Sequence, residues 1–472
     1  MAVTLNGEEV QEKQQQHNAA NKVGETDKAD LESAHSLPPY DKHEENKTSD
    51  PFGNEETADV KYKVLTWWQC GLLMIAETMS LGILALPSAV ATLGLVPAII
   101  ILLFVGLLAT YTGYTIGQFK AAYPHVHSMA DAGEILLGKF GRELLGAGQL
   151  LFLIFIMASH VLTFTVMMNV LSEHGTCTIV FGVVGMIVSL ILTLPRTLKK
   201  VSWLSIASFI SIFSAVMITM VAAGVQHPGK GKPLQATTDT DLYHAFLAVC
   251  NIIFAYCGHV AFFGFASELT DLRDYPKALY TLQGTNTTFY TITAVVIYRY
   301  VGPDVASPAL SSTGPLLSKI AYGIACPTIV IAGVINGHVA CKYIYVRMFR
   351  GTDRMSQRSW LSIGTWVGLA TALWVIAWII AEAIPVFNNL LSLITALFAS
   401  WFTFGVNGMF WLFLNKGRYT ESKRKIALTA LNIFCVLVGA VVCGLGLYVS
   451  GRAIHEDSGS NGSFSCANNA DA

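Results

Sequence analysis

The sequence predicts an all-α polytopic membrane protein with eleven transmembrane helices, arranged as a 5+5 inverted repeat in which helices 1 and 6 are broken. Three observations predict this fold. Of the 472 residues, 53% are hydrophobic and only 13% are charged, which is about half the charged share of a typical soluble domain. Eleven apolar runs are long enough to cross a hydrocarbon core. The first and sixth runs are interrupted by small and polar residues.

The first 64 residues differ from the rest of the chain. They contain fourteen acidic residues and seven lysines, with almost no large apolar residues. Such a segment cannot bury enough apolar surface to offset the entropy that ordering would cost. We therefore expect a disordered acidic tail at 1–64, an eleven-helix membrane domain at 65–450 and a short tail at 451–472.

The eleven apolar runs are bounded by charges, glycines and prolines, and about 20 apolar residues suffice to span a bilayer. They cover 65–91, 96–119, 144–171, 177–194, 201–225, 243–265, 279–301, 320–346, 360–383, 387–414 and 426–449. Ahead of the third run, Ser128 and Asp131 have the spacing of a capping box and precede several apolar residues. This pattern predicts a short amphipathic helix on the cytoplasmic face of the membrane, with a simple connector as the alternative.

Basic residues beyond the tail fall mainly on one side of the predicted bundle. When alternate loops are assigned to opposite sides, eighteen of these 23 lysines and arginines lie on one side and five on the other. Short loops rich in lysine and arginine stay in the cytoplasm. The N-terminus is therefore predicted to be cytoplasmic and, because the number of spans is odd, the tail at 451–472 is predicted to be extracytoplasmic.

The composition excludes several classes of function. A formal net charge of -1 provides no basic field to hold nucleic acid. The nine cysteines show no CxxC or CxxH spacing and most lie in apolar runs, which predicts buried small hydrophobes instead of a metal site. The sequence contains no HExxH, Walker loop or nucleophile elbow. We expect neither an enzyme, nor a metal site, nor a cofactor.

The first apolar run contains an acid, a serine, a glycine and a proline within eleven residues, namely Glu77, Ser80, Gly82 and Pro87. Glycine is a weak helix former, and proline removes the hydrogen bond to the carbonyl four residues earlier. The backbone around 80–83 is therefore predicted to be unwound or strained. Unpaired backbone at membrane depth is tolerated where it is buried in protein or lines a polar cavity, which indicates a binding site.

The sixth run is interrupted in a similar way by Tyr256, Gly258 and His259. In the predicted orientation, the first run begins in the cytoplasm and the sixth begins outside. Two broken helices that lie five spans apart and run in opposite directions are typical of an inverted repeat. The eleventh helix is then an addition to the two repeats.

A broken membrane helix offers two kinds of binding group. The half that begins at the break exposes N–H groups and the positive end of its dipole, and the half that ends there exposes carbonyls. One end attracts a carboxylate and the other attracts an ammonium group. A zwitterionic amino acid fits both.

The chain resembles the amino acid/auxin permease family at these breaks, and within it the fungal neutral and aromatic amino-acid permeases. The matching features are Glu77 with the segment 80–89, the segment 254–256 that leads to Glu268, Asp274 with Tyr275, and the segments 381–385 and 387–388. The similarity covers most of 65–450 and none of the acidic tail. It implies the LeuT-type inverted-repeat architecture and secondary active transport of amino acids, generally coupled to protons.

The resemblance also implies which residues bind the substrate. Backbone groups at both breaks are expected to contact it, and these belong to Ser80, Leu81, Gly82, Ile83, Tyr256, Cys257 and Gly258. His259 follows them directly. Because histidine titrates near neutral pH, it is expected either to take part in coupling or to hydrogen-bond the substrate carboxylate, and a neutral structural histidine is the alternative.

Glu77 is the acidic residue nearest to the first break. Ionisable residues inside a membrane are costly and are usually functional, so Glu77 is predicted to carry the coupled proton, with a structural carboxylate as the alternative. Sodium coupling competes with this prediction. Carbonyls at 78–80 together with Asn336 could supply some of the oxygen ligands that a sodium ion needs.

The sequence therefore predicts a proton symporter of neutral aliphatic and aromatic amino acids. Its expected partners are these amino acids, protons and the lipid bilayer, with sodium less favoured and nucleic acid excluded. The plasma membrane is favoured over the vacuolar membrane. Two alternatives are a sodium-coupled amino-acid transporter and an amino-acid sensor that signals through the N-terminal tail.

Overall fold

The computed structural model describes residues 63, 65–195, 201–349, 360–457 and 462–470. The predicted tail at 1–64 lies outside these residues except for Lys63, and so do six of the eighteen basic residues that define the cytoplasmic side. Within the described ranges the regular structure is helical, apart from one isolated backbone bridge between Leu65 and Leu269.

The helices of the described chain are numbered α1 to α14 in sequence order. They are α1 Trp67–Thr78, α2 Gly82–Leu93, α3 Leu95–Ala122, α4 Met129–Ser172, α5 Thr178–Thr193, α6 Val201–Gln226, α7 Leu242–Phe254, α8 His259–Glu268, α9 Tyr275–Val301, α10 Pro315–Phe349, α11 Trp360–Ala383, α12 Phe387–Ile394, α13 Val406–Leu414 and α14 Lys423–Asp457. A π-helical stretch, Thr395–Gly405, joins α12 to α13. Short 3-10 segments occupy Leu272–Asp274, Gly302–Asp304 and Ala309–Ser312.

Each of the eleven predicted spans coincides with one helix or with consecutive helices across an interruption. By length and hydropathy, eight helical segments of the described chain qualify as membrane spans, or nine when the bent pair of α1 and α2 counts as one. The helix α5 has only 16 residues, and α9 is rich in threonine and tyrosine. The all-α polytopic architecture is confirmed, whereas the count of eleven stays a prediction.

The first predicted break is present but lies slightly earlier than the sequence suggested. The helix α1 ends at Thr78 and α2 begins at Gly82, with a bend of 58° between them. The interruption therefore covers 79–81, and of the segment predicted to be unwound or strained, Gly82 and Ile83 are helical. Pro87 lies inside α2, because a proline removes only one backbone hydrogen bond of its helix.

The second break is present where it was predicted, and it touches the first. The helix α7 ends at Phe254 and α8 begins at His259. A Cβ atom on Gly82 would lie 2.7 Å from the Cα of Ala255, and one on Gly258 would lie 2.5 Å from Oγ1 of Thr78. Separations this short do not occur for real Cβ atoms, so glycine at these two positions allows the breaks to approach each other.

The far ends of the two broken helices also meet. The N–H of Leu65, just before α1, donates to the carbonyl of Glu268 at 3.0 Å, and the N–H of Thr270 donates to the carbonyl of Leu65 at 3.0 Å. The start of α1 therefore lies beside the end of α8. This placement agrees with two broken helices that run in opposite directions.

The predicted short helix ahead of the third span is confirmed. The hydroxyl of Ser128 and the carboxylate of Asp131 form the capping box at its start. Leu137 and Gly138, which has a φ of 64°, interrupt the helical backbone eight residues into α4. The chain then continues as the membrane-spanning part of α4.

Two of the nine cysteines are bonded to each other, so the prediction that cysteines serve as buried small hydrophobes is wrong for this pair. Cys177, just before α5, and Cys466, in the C-terminal segment, form a disulfide with a Cα–Cα distance of 4.4 Å. Because 289 residues separate them, their spacing in the sequence gave no sign of pairing. The free cysteines that are buried as predicted are Cys70, Cys250, Cys341 and Cys435.

Candidate functional site

The residues predicted to bind substrate lie on the two touching breaks. The structure thus brings the two predicted segments, which are far apart in the sequence, into one place. Their role in binding stays a prediction. The buried members of the set are Ser80, Leu81, Gly82, Ile83, Tyr256 and His259, and the partly exposed members are Cys257 and Gly258.

Four helix ends converge at this place. The helices α1 and α7 end here, and α2 and α8 begin here. The last carbonyls of the first pair and the first N–H groups of the second pair have no partner within their own helices. They carry the partial negative and partial positive charges of the helix dipoles. The arrangement can therefore hold an anionic group and a cationic group of one small molecule.

Tyr290 of α9, which the sequence analysis missed, bridges the two breaks. Its hydroxyl lies 3.0 Å from the carbonyl oxygen of Ala255 and 3.3 Å from that of Thr78. The side chain is fully buried. The single hydrogen of the hydroxyl can be donated to either carbonyl or shared between them, so Tyr290 links the end of α1 to the residue that follows α7. Aromatic residues in apolar helices usually have packing roles, so the sequence carried no signal for this one.

Tyr256, which was predicted for its backbone, also uses its side chain. Its hydroxyl donates to the carbonyl of Leu102 in α3 at 3.2 Å. Its ring meets that of Tyr290 edge to face, with 5.4 Å between the ring centroids. The second break is thus anchored to both α3 and α9.

Glu77 lies in the last turn of α1 and faces α10. Its Oε1 accepts a hydrogen bond from Nδ2 of Asn336 at 3.1 Å, and the same nitrogen donates to the carbonyl of Ala332 at 2.9 Å. Asn336 is buried and Glu77 is partly exposed. The carboxyl group therefore joins α1 to α10 next to the first break.

His259 ties the start of α8 to α3. Its Nε2 lies 2.9 Å from the carbonyl oxygen of Ala109 and 3.1 Å from Oγ1 of Thr112. Donation to the carbonyl places the hydrogen of the neutral ring on Nε2, which leaves Nδ1 as an acceptor. The ring is fully buried beside Phe262. The predicted roles of His259 in coupling and substrate binding stay predictions.

Other charged side chains form pairs at helix ends and loops. Lys319 lies 2.5 Å from Oε1 of Glu173, and this hydrogen bond holds the pKa of Glu173 below its usual value. Exposed pairs of this kind contribute little to stability. Within the described ranges, no group of three or more histidine, cysteine or acidic side chains is placed to hold a metal ion.

Comparison with known proteins gives consistent matches over most of the chain. A family model described as "Transmembrane amino acid transporter protein" matches residues 63–451. The N amino acid transport system protein of Neurospora crassa is 37% identical over 399 residues, which cover 83% of this chain and 85% of that protein. A transmembrane transporter of Fusarium pseudograminearum is 30% identical over 428 residues, which cover 88% of this chain and 90% of that protein.

Among solved structures, the crystal structure of MhsT in complex with L-phenylalanine matches this chain with a TM-score of 0.49 and 14% sequence identity. The match covers 82% of this chain and 98% of the MhsT chain.

Proposed function

Because this chain belongs to the transmembrane amino acid transporter family, we propose that it is a secondary active transporter that carries neutral aliphatic and aromatic amino acids together with protons. One observation carries the proposal. The two interrupted helices touch at Gly82 and Ala255, so N–H ends and carbonyl ends of helices lie side by side. A zwitterionic amino acid presents the two complementary charges on neighbouring atoms.

The substrate carboxylate binds the N–H groups at the starts of α2 and α8 in this proposal, as anions commonly do at helix N-termini. The ammonium group binds the carbonyls at the ends of α1 and α7. The carbonyls of Thr78 and Ala255 lie within hydrogen-bond distance of the hydroxyl of Tyr290, whose single hydrogen they share. Tyr290 therefore holds the ammonium-binding groups in place before the substrate arrives.

The apolar surroundings of the breaks support a neutral side chain on the substrate. Met79, Leu81 and Phe254 flank the interruptions and are all buried. An ionised substrate side chain placed among them would lose its hydration without gaining a partner, which is strongly unfavourable. Aliphatic and aromatic side chains would instead gain from burial.

The coupled proton binds Glu77. The ionised carboxylate receives a charge-assisted hydrogen bond from Asn336, and protonation weakens such a bond. Protonation therefore loosens the contact between α1 and α10 beside the substrate site. Because coupling between two sites is reciprocal, a proton on Glu77 and a substrate at the breaks then favour each other's binding.

The sodium alternative uses the same place in the fold. It requires oxygen ligands from 78–80 and from Asn336, since sodium is held by several oxygen atoms. Asn336 directs its amide nitrogen toward Glu77, so a sodium ion bound between the two side chains would require this amide to turn over. The resemblance to permeases that are generally proton-coupled favours a proton over sodium.

We propose that the N-terminus is cytoplasmic and that the transporter acts in the plasma membrane. The excess of basic residues on the predicted inner side supports the orientation. The disulfide between Cys177 and Cys466 supports it as well, because disulfides persist in oxidising compartments. In the predicted topology both cysteines lie outside the cytoplasm.

Uptake by purified protein in proteoliposomes tests the proposal. With sodium replaced by choline, an inward proton gradient should drive radiolabelled leucine and phenylalanine above their external concentration. Protein-free liposomes and dissipation of the gradient with a protonophore are the controls. Accumulation that requires sodium would establish the sodium alternative, and substrate binding without accumulation under either gradient would establish the sensor; both results reject proton symport.

A further inference from the structure

The C-terminal segment 462–470 completes the end of α11. This helix ends at Ala383, and the last carbonyls of a helix have no partner within it. The hydroxyl of Ser463 donates to the carbonyl of Ala383 at 2.8 Å, and the N–H of Phe464 donates to the carbonyl of Glu382 at 3.1 Å. The segment thus supplies donors that the helix end lacks.

The same segment packs against α4 and α5. Asn469 forms its hydrogen bonds to α4, and Ala467 accepts one from α5. The Nδ2 of Asn469 donates to Oγ1 of Thr165 at 2.8 Å, and its Oδ1 accepts from Nδ2 of Asn169 at 2.8 Å. The hydroxyl of Thr178, the first residue of α5, donates to the carbonyl of Ala467 at 2.6 Å. Asn469 is only 7% exposed, so its side chain is an internal part of the helix packing.

A buried carboxyl group lies beneath the segment. Glu382 is 5% exposed, and its Oε1 accepts from Nε1 of Trp378 at 3.1 Å. Gly182 of α5 gives this oxygen room, since a Cβ there would overlap it. The remaining cavity between segment and helices measures about 20 Å³, enough for about one water molecule. The groove is therefore filled by the protein's own C-terminal segment.

The disulfide between Cys177 and Cys466 fastens this segment covalently to the start of α5. The hydrogen bonds named above lie on α4, α5 and α11, which pack against one another. These are not the interrupted helices that form the candidate substrate site. The segment thus cross-links helices that lie outside the candidate substrate site.

We propose that residues 462–470 form a reducible strap, which clamps the outer ends of α4, α5 and α11 and makes transport depend on the redox state of the extracytoplasmic solution. The inference goes beyond the proposed function, although its transport readout rests on it. Breaking the disulfide leaves the strap held by hydrogen bonds alone, so it opens more readily, and each opening releases the carbonyls at the end of α11 and exposes Glu382. The packing of α4, α5 and α11 then becomes less rigid. The turnover rate of transport falls, whereas the residues of the substrate site stay the same.

The opening step is a thiol–disulfide exchange with a small dithiol on the outer side. Two electrons from the dithiol break the S–S bond, and each of the two cysteine sulfurs receives one proton from the dithiol. The dithiol is oxidised to its own cyclic disulfide. After this step the strap is held by hydrogen bonds alone, and a two-electron oxidant of the disulfide class closes it again.

The test applies a membrane-impermeant reductant to folded wild-type protein in proteoliposomes. Three quantities are measured before and after: the number of maleimide-reactive thiols, the thermal unfolding temperature, and the KM and Vmax of uptake. We expect two additional reactive thiols, a lower unfolding temperature, a several-fold lower Vmax and an unchanged KM. Reoxidation should restore the starting values.

Two cysteine variants provide the matched comparison. Cys466→Ser should show the low Vmax without reductant and no further response to it. Cys443→Ser, which removes a free and partly exposed cysteine of α14, should respond like the wild type. Asn469→Leu removes the hydrogen bonds of Asn469 to α4 and keeps the disulfide. It should therefore lower the unfolding temperature without adding reactive thiols.

Three results overturn the strap. The first is that Cys177 and Cys466 both react with maleimide before reduction. The second and third are an unchanged unfolding temperature or an unchanged Vmax after the two thiols have been freed. If Cys466→Ser fails to fold, reduction of the already folded wild-type protein still tests the strap. Because labelling and unfolding require no transport, failure of the strap is distinguishable from failure of the proposed transport activity.

Discussion

Gly82 packs backbone to backbone against Ala255: a Cβ atom on Gly82 would lie 2.7 Å from the Cα and 3.1 Å from the Cβ of Ala255. The start of α2 therefore touches the residue that follows α7. This contact turns two separate helix interruptions into one site.

Gly82→Ala is expected to impair transport severely. The added methyl group meets backbone atoms, which cannot rotate away, and overpacking of this kind costs about 1–3 kcal/mol. Uptake of radiolabelled leucine per folded protein measures the effect. Gly284→Ala on α9 is the matched control, because nothing lies within 4 Å of the position of its Cβ. Wild-type uptake by Gly82→Ala would show that the two breaks do not need this close contact.

The contact between Gly258 and Thr78 predicts a compensating pair of substitutions. Gly258→Ala should reduce uptake, because the new Cβ would lie 2.5 Å from Oγ1 of Thr78. Thr78→Ala alone should be mild, since this hydroxyl has no hydrogen-bond partner in the described part of the chain. The double variant should recover activity, with a coupling energy of about 0.5–3 kcal/mol. Strictly additive effects would contradict the contact.

Tyr290→Phe should weaken transport while preserving the fold. It keeps the ring and removes the donor to the carbonyls of Thr78 and Ala255. Loss of a buried partner costs about 1–3 kcal/mol, so uptake efficiency should fall by a factor of about 5 to 150. Tyr280→Phe, at an exposed position of the same helix, is the control. If both variants show the same uptake kinetics, Tyr290 does not contribute to the substrate site.

Glu77→Gln should abolish accumulation driven by a proton gradient. Glutamine keeps an oxygen that can accept from Asn336 but cannot exchange a proton. Internal and external substrate should then only equilibrate, while exchange of labelled for unlabelled substrate continues. Glu134→Gln, which alters an exposed carboxylate paired with Arg142, should accumulate normally. Proton-driven accumulation by Glu77→Gln equal to that of wild type would exclude Glu77 as the proton carrier.

The pair of Lys319 and Glu173 should affect stability only modestly. The hydrogen bond lowers the pKa of Glu173, so its stabilising contribution is present above the unfolded pKa of this acid and is lost as the pH falls through the lower, folded value. Lys319→Met should therefore narrow the difference in unfolding temperature between neutral and acidic solution. Because the pair is exposed, the change should be small, and a large loss of stability would contradict this account.

Much of the candidate site was accessible from the sequence. Hydropathy predicted where helices cross the membrane, and Ser80, Gly82 and Gly258 with their neighbours marked both interruptions to within a few residues. These features are local, because a helix is weakened by the residues it contains. The position of the first break was slightly wrong, since α2 already begins at Gly82, ahead of the proline on which the prediction rested.

The sequence by itself determined an apolar helical membrane protein with two interrupted helices and an ionisable residue beside the first. Only the tertiary structure decided that Tyr290 bridges the breaks, that Asn336 donates to Glu77, and that Cys466 forms a disulfide with Cys177. The physical reason is sequence distance. A helix interruption arises from neighbouring residues. By contrast, Tyr290 lies 212 residues from Thr78, Asn336 lies 259 from Glu77, and Cys466 lies 289 from Cys177, so these partners meet only when the helices pack.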